Sequence, residues 1–258
     1  MPKLDSLSEI LPGVLTWNVS EDTRHALVTS AIGGRYLPDF VEFSLHTWEL
    51  YARRYGLGII IFSDGSVSKE TLGQLNGSWF KMLLPELVAQ QLPQIDRIAL
   101  IDTDIIVNPA APNLFDATPQ GYVGVVPEFS ADPQHDVEAK KRLSYLRNKH
   151  YDASYPLDSF LFASAEQLYL EEGFEPLTKS FCAGLLVVDL EFSEVFSSWF
   201  SDARNSDQSQ AVAWEQTYLN HKVLTLLPHH WLDSKFQAIW NLEMAMFHPS
   251  LYQVDDLS

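Results

Sequence analysis

RIALIDTDIIVNP, Arg97 to Pro109, reads as a buried strand for most of its length, yet two carboxylates, Asp102 and Asp104, interrupt the apolar run with one residue between them. An ionised carboxylate in apolar surroundings costs on the order of several kcal/mol unless something pairs with it. Either the strand ends there in a solvated turn, or the pair holds a cation. Side chains at i and i+2 of an extended chain point to the same face, so the two carboxylates can converge on one ion. They would do so where a strand leaves the core, the edge at which open α/β sheets bind ligands. With no thiolate nearby, two carboxylates favour a hard, oxygen-seeking cation such as Mg²⁺ or Mn²⁺, which keeps open positions for substrate phosphates.

Around this stretch, apolar strand-like runs alternate with helical patterns, the signature of an α/β fold with a mostly parallel sheet flanked by helices. HALVTSA (His25 to Ala31) is the first strand, and FVEFSLHTWELYARRYG then carries apolar residues at helical spacing up to Gly56, a helix stop. LGIIIFSDG (Leu57 to Gly65) is the second strand, and SWFKMLLPELVAQQL is a helix bent or broken at Pro85 that leads into the carboxylate strand. GYVGVVPEF (Gly121 to Phe129) is a further strand, FCAGLLVVDL restores the strand signal later, and QAVAWEQTYLNHKVLTLL is an amphipathic helix. Residues 130–180 are polar, punctuated by Pro and Tyr and without a clear period, so they are expected to form an insertion or an acceptor-side lid. With no repeat, low-complexity tract or linker, residues 1–258 are expected to form a single domain.

Composition narrows the partners. The chain has 258 residues, 46% of them hydrophobic, which is ample for a sizeable core. Its net charge of −17 argues against nucleic acid as a partner, because such binding rests largely on Lys and Arg neutralising phosphates. Any phosphate bound here needs a local cation. The single Cys182 excludes an internal disulfide and a cysteine-rich zinc site, and suits a reducing compartment. The opening MPKLDSLSEILPGVLTW lacks a basic start followed by a long apolar core, and no apolar run reaches the roughly 20 residues of a membrane span. The expectation is a soluble, cytoplasmic protein with no membrane span.

In order along the chain, three stretches resemble one known group. The block SWFKMLLPELVAQQLPQIDRIALIDTDIIVNPAAPNLFD, the strand FCAGLLVVDL and the helix WEQTYLN are similar to the helix, strand and DxD block, the Asn-Ala-Gly strand and the Asp-Gln-x-x-x-Asn helix of glycosyltransferase family 8. That family comprises nucleotide-sugar glycosyltransferases of the GT-A (Rossmann-like) fold, such as glycogenin and lipopolysaccharide hexosyltransferases. With ALVTSAIGGRY at the start, the resemblance runs from about Ala26 to His248.

The resemblance implies a transferase that moves a hexose from a nucleotide-diphosphate sugar, most often a UDP-sugar, to a glycan or other hydroxyl acceptor, with Mn²⁺ or Mg²⁺ as cofactor. Asp102 and Asp104 would bind the metal that bridges the donor diphosphate, with Asp102 also near the ribose and Thr103 among the donor contacts. Thr29, Ala31 and Tyr36 would face the base. Lys81 falls where relatives place a lysine close to the donor, although a solvated helix lysine reads the same. Asp64 could touch base or ribose, or be a turn residue in SDGS. Gly184 would allow close approach of the donor sugar, or mark a bulge. Gln216 could reach the transferred sugar, and shares a helix face with Asn220, four residues on, unless the pair is simply polar helix surface. His248, late in the chain, lies where the family brings a histidine back as the third metal ligand, a role that suits a neutral imidazole.

Three departures stand beside these likenesses. Cys182 replaces the family's asparagine, which puts sugar preference in doubt. Trp214-Glu215-Gln216 stands where Asp-Gln is usual, so Glu215 takes the acidic role or is solvated. Where the family commonly has Gly and then Lys-Pro-Trp, HPSLYQVDDLS follows, leaving phosphate neutralisation to the metal and to Lys81 or Arg35. The resemblance implies transfer with retention; an inverting relative would need a carboxylate base, for which Glu128 and Glu215 are the choices. A nucleotidyltransferase making the activated sugar, or a catalytically inert sugar-binding relative, are the alternatives.

Overall fold

The structure, a computed structural model, describes residues 6–128, 133–150, 163–206 and 215–250. In chain order the elements begin with β1 (Ser8–Leu11), β2 (Val14–Trp17), β3 (His25–Ala31), α1 (Tyr36–Asp39), α2 (Leu45–Tyr55), β4 (Gly58–Ser63), α3 (Lys69–Leu72), α4 (Leu84–Gln91) and β5 (Arg97–Ile101). They continue with α5 (Leu114–Ala117), β6 (Val123–Pro127), α6 (Pro133–His150), α7 (Ala165–Glu171), β7 (Phe181–Asp189), α8 (Ser193–Asn205), α9 (Gln216–Leu226), β8 (His229–Trp231) and α10 (Trp240–Phe247).

Among the described residues eight strands form one sheet in the order β1-β2-β4-β3-β5-β7-β6-β8, flanked by helices, so the chain is α/β. At its centre β4, β3 and β5 run parallel, with Val28 paired to both Ile60 and Leu100. β2 lies antiparallel to β4 and β7 antiparallel to β5, which makes the sheet mixed. Ala26 to Val28, Ile59 to Phe62 and Ile98 to Ile101 are all buried. Strands covered on both faces read as unbroken apolar runs, which is why the sequence marks them so clearly.

By its contacts the chain divides into two compact units, Met1–Val125 with Ala183–Leu232, and Val126–Cys182 with Asp233–Ser258. In the first, the hairpin β1–β2 was not expected from the sequence, although Pro12-Gly13 in EILPGVL is a turn signal. The first helical stretch starts at Tyr36, not Phe40, and runs through a π-helical segment, Phe40–Ser44, into α2. It stops at Gly56 as expected, with φ at +67°. Pro85 does not break a helix: it sits in the first turn of α4, where its missing N–H costs nothing, after a separate 3-10 turn at Gly77–Met82.

In the second unit the stretch 130–180, which shows no clear period in the sequence, carries helices. Within 130–180 lie α6, of 18 residues, and α7, capped by a reciprocal Ser164/Gln167 box. Residues 151–162, also part of the expected lid, lie outside the described ones. The periodicity is hard to see because, among the described side chains of α6, the core residues are few, chiefly Ala139, Leu143 and Leu146. Of these, Leu143 and Leu146 pack against Ala245 and Leu242 of α10.

Gly56 offers a small test of the fold. A Cβ there would meet nothing within 4 Å, so the cost of Gly56→Ala is that of a left-handed backbone alone. Urea unfolding should show a loss of about 1 kcal/mol with an unchanged slope.

Candidate functional site

The decisive stretch does not run as one strand. β5 ends at Ile101, and the N–H of Ile105 donates to the carbonyl of Asp102 at 3.2 Å, closing a turn. The residues from Ile105 to Pro109 form no strand, so two-residue alternation is not what presents the carboxylates. The turn does. Its outgoing limb is fastened to α2: Trp48 Nε1 donates to the Ile105 carbonyl at 2.8 Å, and the N–H of Val107 donates to Thr47 Oγ1 at 3.1 Å.

Beneath this turn lies Lys81. Its 3-10 turn is capped by the Asn76 side chain, which accepts from the Ser78 N–H, and anchored by the buried rings of Trp79 and Phe80. Trp79 packs beside Tyr218 of α9, with ring centroids 5.5 Å apart. Held this way, Lys81 points into the protein rather than to solvent, at 5% exposure. Its ammonium donates to Asp102 Oδ1 at 2.8 Å, to the Ala183 carbonyl at 3.0 Å and to Glu215 Oε1 at 2.8 Å. An ammonium has three N–H donors, and all three are taken.

Burial alone would push the Lys81 ammonium below its ordinary range, but the Asp102 and Glu215 carboxylates outweigh it and hold it above. For Glu215, buried at 5% exposure, desolvation pulls upward and Lys81 wins, with help from the Ser78 hydroxyl, so its carboxyl lies below the usual range. Asp104 goes the other way. Desolvation first, then the Asp102 charge, raise it against a backbone hydrogen bond and the pull of Lys81. Since Asp104 is exposed to solvent, water screens part of that effect. With all groups ionised, three carboxylates face one ammonium and the site carries a net charge of −2.

These residues surround a small recess lined by Val28, Thr29, Ser30, Lys81, Asp102 and Ala183. Thr29, 1% exposed, has its Oγ1 buried without a hydrogen-bond partner. A buried hydroxyl in that state costs roughly 1–3 kcal/mol, which a bound water or ligand would relieve.

The residues singled out in the sequence are placed as follows. Thr29, Lys81, Asp102, Glu215 and Gln216 are gathered here, and the Gly184 carbonyl accepts from the Asp102 N–H at 2.9 Å. Thr103 is buried beside them in sequence and Asp104 is exposed. Gln216 Oε1 lies 3.5 Å from the Ala183 N–H, at the limit of a hydrogen bond, and the Asn220 amide donates to the Gln216 carbonyl at 2.9 Å. The Ala31 side chain is fully buried, leaving only its backbone for a ligand, whereas Tyr36 is 58% exposed. Asp64 clasps the neighbouring loop, its Oδ1 accepting from the Gly33 N–H at 2.7 Å.

In the second unit, His248 follows α10, exposed and stacked on the ring of Trp240. Cys182 accepts from Gln237 Nε2 at 3.1 Å, and Ser180 Oγ donates to Glu128.

Lys81 and Glu215 stand out in the sequence, but their pairing does not. Glu215 is neither solvated nor free, and Lys81 is not a solvated helix lysine; each is the other's buried counter-ion. A lone lysine inside the apolar run WFKMLL was the available signal, since buried charge implies a partner.

For a divalent cation the fit is partial. Asp102 Oδ1 carries the ammonium, which leaves Oδ2, and Asp104 adds an exposed carboxylate. Both are hard oxygen donors. Among the described residues no group of three or more His, Cys, Asp or Glu stands together to hold a metal. The carboxylate pair would therefore share a cation with water and phosphate oxygens, the pattern usual for Mg²⁺-type sites.

The chain matches no family model and no curated protein sequence. Among solved structures it is similar to a glycosyltransferase involved in glycosylation of the major capsid of PBCV-1, at 13% identity and TM-score 0.47, over 81% of this chain and 80% of that one. It is also similar to the apo WbbM bifunctional glycosyltransferase, at 12% identity and TM-score 0.39, over 84% of this chain but 41% of that one. Likeness at this level does not establish a shared fold, so the reading of the site rests on its own residues.

Proposed function

We propose that the chain is a divalent-cation-dependent glycosyltransferase that moves a hexose from a nucleotide-diphosphate sugar, with UDP as the nucleotide, to a hydroxyl acceptor. The observation that carries this reading is the charge of the site. Its net −2 repels a diphosphate, and Lys81, the buried cation at its centre, has no donor left to offer one. A diphosphate can sit there only together with a cation that Asp102 and Asp104 share. When bound, Mn²⁺ or Mg²⁺ supplies Lewis-acid stabilisation of the charge on the departing phosphate.

The protein's own residues divide the remaining work. Thr29 and Ser30 line the recess and offer hydroxyls, the Gly184 backbone fixes Asp102, and Gln216 is the side chain left to meet the transferred sugar. Glu215, held ionised by Lys81, is a poor proton acceptor, which favours the retaining course over one that uses it as base.

Thermal unfolding tests the reading. A ligand binding only the folded state stabilises it by about 2.7 kcal/mol at a hundredfold excess over Kd. UDP with Mn²⁺ should raise Tm by roughly 5–10 °C, well beyond either alone, with a smaller gain for GDP. Absence of synergy with both nucleotides sinks the proposal. A larger response to GDP moves the donor to GDP-sugars.

A further inference from the structure

Lys81 is the buried charge that the proposed chemistry leaves idle. It is sealed from solvent, yet the side chain of Asp102, whose Oδ1 it grips, is 45% exposed. Asp102 thus stands at a boundary, half committed to an internal cation and half open to an external one. The ammonium is fixed in place. The Ala183 carbonyl and Glu215 take its other two donors, and moving it outward would leave Glu215 buried without a counter-charge.

A fixed positive charge in contact with one of two cation-binding carboxylates works against a second cation. A divalent ion sharing Asp102 with the ammonium meets its repulsion at close range, where Coulomb energies are largest. Among the described residues no group of three or more His, Cys, Asp or Glu stands together to offset that repulsion. A nucleotide diphosphate reverses the sign, because its own negative charge is attracted by the same ammonium through space, with no hydrogen bond given up. Thr29 lines the same recess with its hydroxyl buried and unpartnered, so the recess lacks a hydrogen-bonding occupant and is not simply packed core.

We infer that Lys81 is a built-in rival of the metal, one that makes the site disfavour a free divalent cation and take the cation as its complex with the nucleotide diphosphate. The inference rests on the reading that Asp102 and Asp104 share a cation. Selectivity is a difference of affinities, and here it comes from opposing the wrong form. Lys81 repels the ion and attracts the diphosphate that accompanies it, so its two effects nearly cancel for the complex and act in full on the ion alone.

The test compares the unmodified chain with Lys81→Met combined with Glu215→Met. One positive and one negative charge leave together, so the site keeps its net −2 while Asp102 is freed from the ammonium. Titration with Mn²⁺ alone, followed by the paramagnetic resonance of the free ion, should show the double variant binding on the order of tenfold tighter. Calorimetric titration with an equimolar mixture of UDP and Mn²⁺ should show a change within about threefold. Circular dichroism checks folding; should the double Met variant fail to fold, Lys81→Gln with Glu215→Gln, which preserves a hydrogen bond between the two, takes its place. A purely structural Lys81 predicts equal affinity for the free ion in both chains, and that result, or a weaker one in the variant, overturns the inference while binding of the UDP mixture keeps the transferase reading intact. An equal gain for the ion and for the mixture also overturns it. If neither chain binds Mn²⁺ with or without UDP, the transferase reading falls and the inference with it.

Discussion

In Lys81→Met, the free energy of unfolding is expected to fall by about 3–5 kcal/mol, because the change leaves Glu215 buried without a counter-charge. For a chain of this size that is a drop in Tm of roughly 10 °C. Adding Glu215→Met should restore most of the loss, since a buried ion pair replaced whole by apolar groups costs little. The pair also sets a pH window. Glu215 lies below its ordinary range, so its contribution is present above that range and fades as pH falls through the lowered value. Lys81 lies above its ordinary range, so its contribution is complete below that range and is lost only as pH rises through the raised value. Urea unfolding across pH should therefore give a plateau between the two that is absent in the double variant. A loss below about 1 kcal/mol in Lys81→Met would reduce the bridge to the worth of a surface ion pair.

Asp104→Asn is expected to lower transfer at least about a hundredfold, a loss of roughly 3 kcal/mol of transition-state stabilisation, while the fold survives. In the folded protein the charged form of Asp104 is disfavoured, so a neutral amide should leave stability unchanged or slightly higher without cation. The same sign predicts that the unmodified chain gains stability as pH falls through the raised value of Asp104. In the variant, the Tm gain from Mn²⁺ with UDP should disappear. Full activity in Asp104→Asn, or in excess chelator, would end the metal reading.

Much of the fold was legible because burial writes itself plainly. His25 to Ala31 and Phe181 to Asp189 are covered on both faces and appear as apolar runs that the structure returns as strands. The hairpin β1–β2 was harder, because every residue of β1 is exposed and only a turn signal betrays it. Helix α6 was illegible for a related reason, since its charges drown the few residues it buries. At the site, Asp102 and Asp104 stood out as charges in an apolar setting. What the sequence could not show was that Asp102 is half satisfied from within, because its partner, Lys81, is turned inward between Asp102 and Glu215, residues far apart in sequence that only the tertiary fold brings together.

The Lys81 bridge also has a consequence in time. Its ammonium joins Asp102, 21 residues on, to the Ala183 carbonyl, 102 residues on, and β5 finds its antiparallel neighbour only when β7 arrives. Contacts between such distant positions form late, because the loop they close must be ordered first. During synthesis, a chain that has emerged only as far as β6 would already hold both carboxylates without the strand that shapes them into a pocket. The ability to hold a ligand should thus appear in a single late step of refolding, well after most of the helical signal has returned.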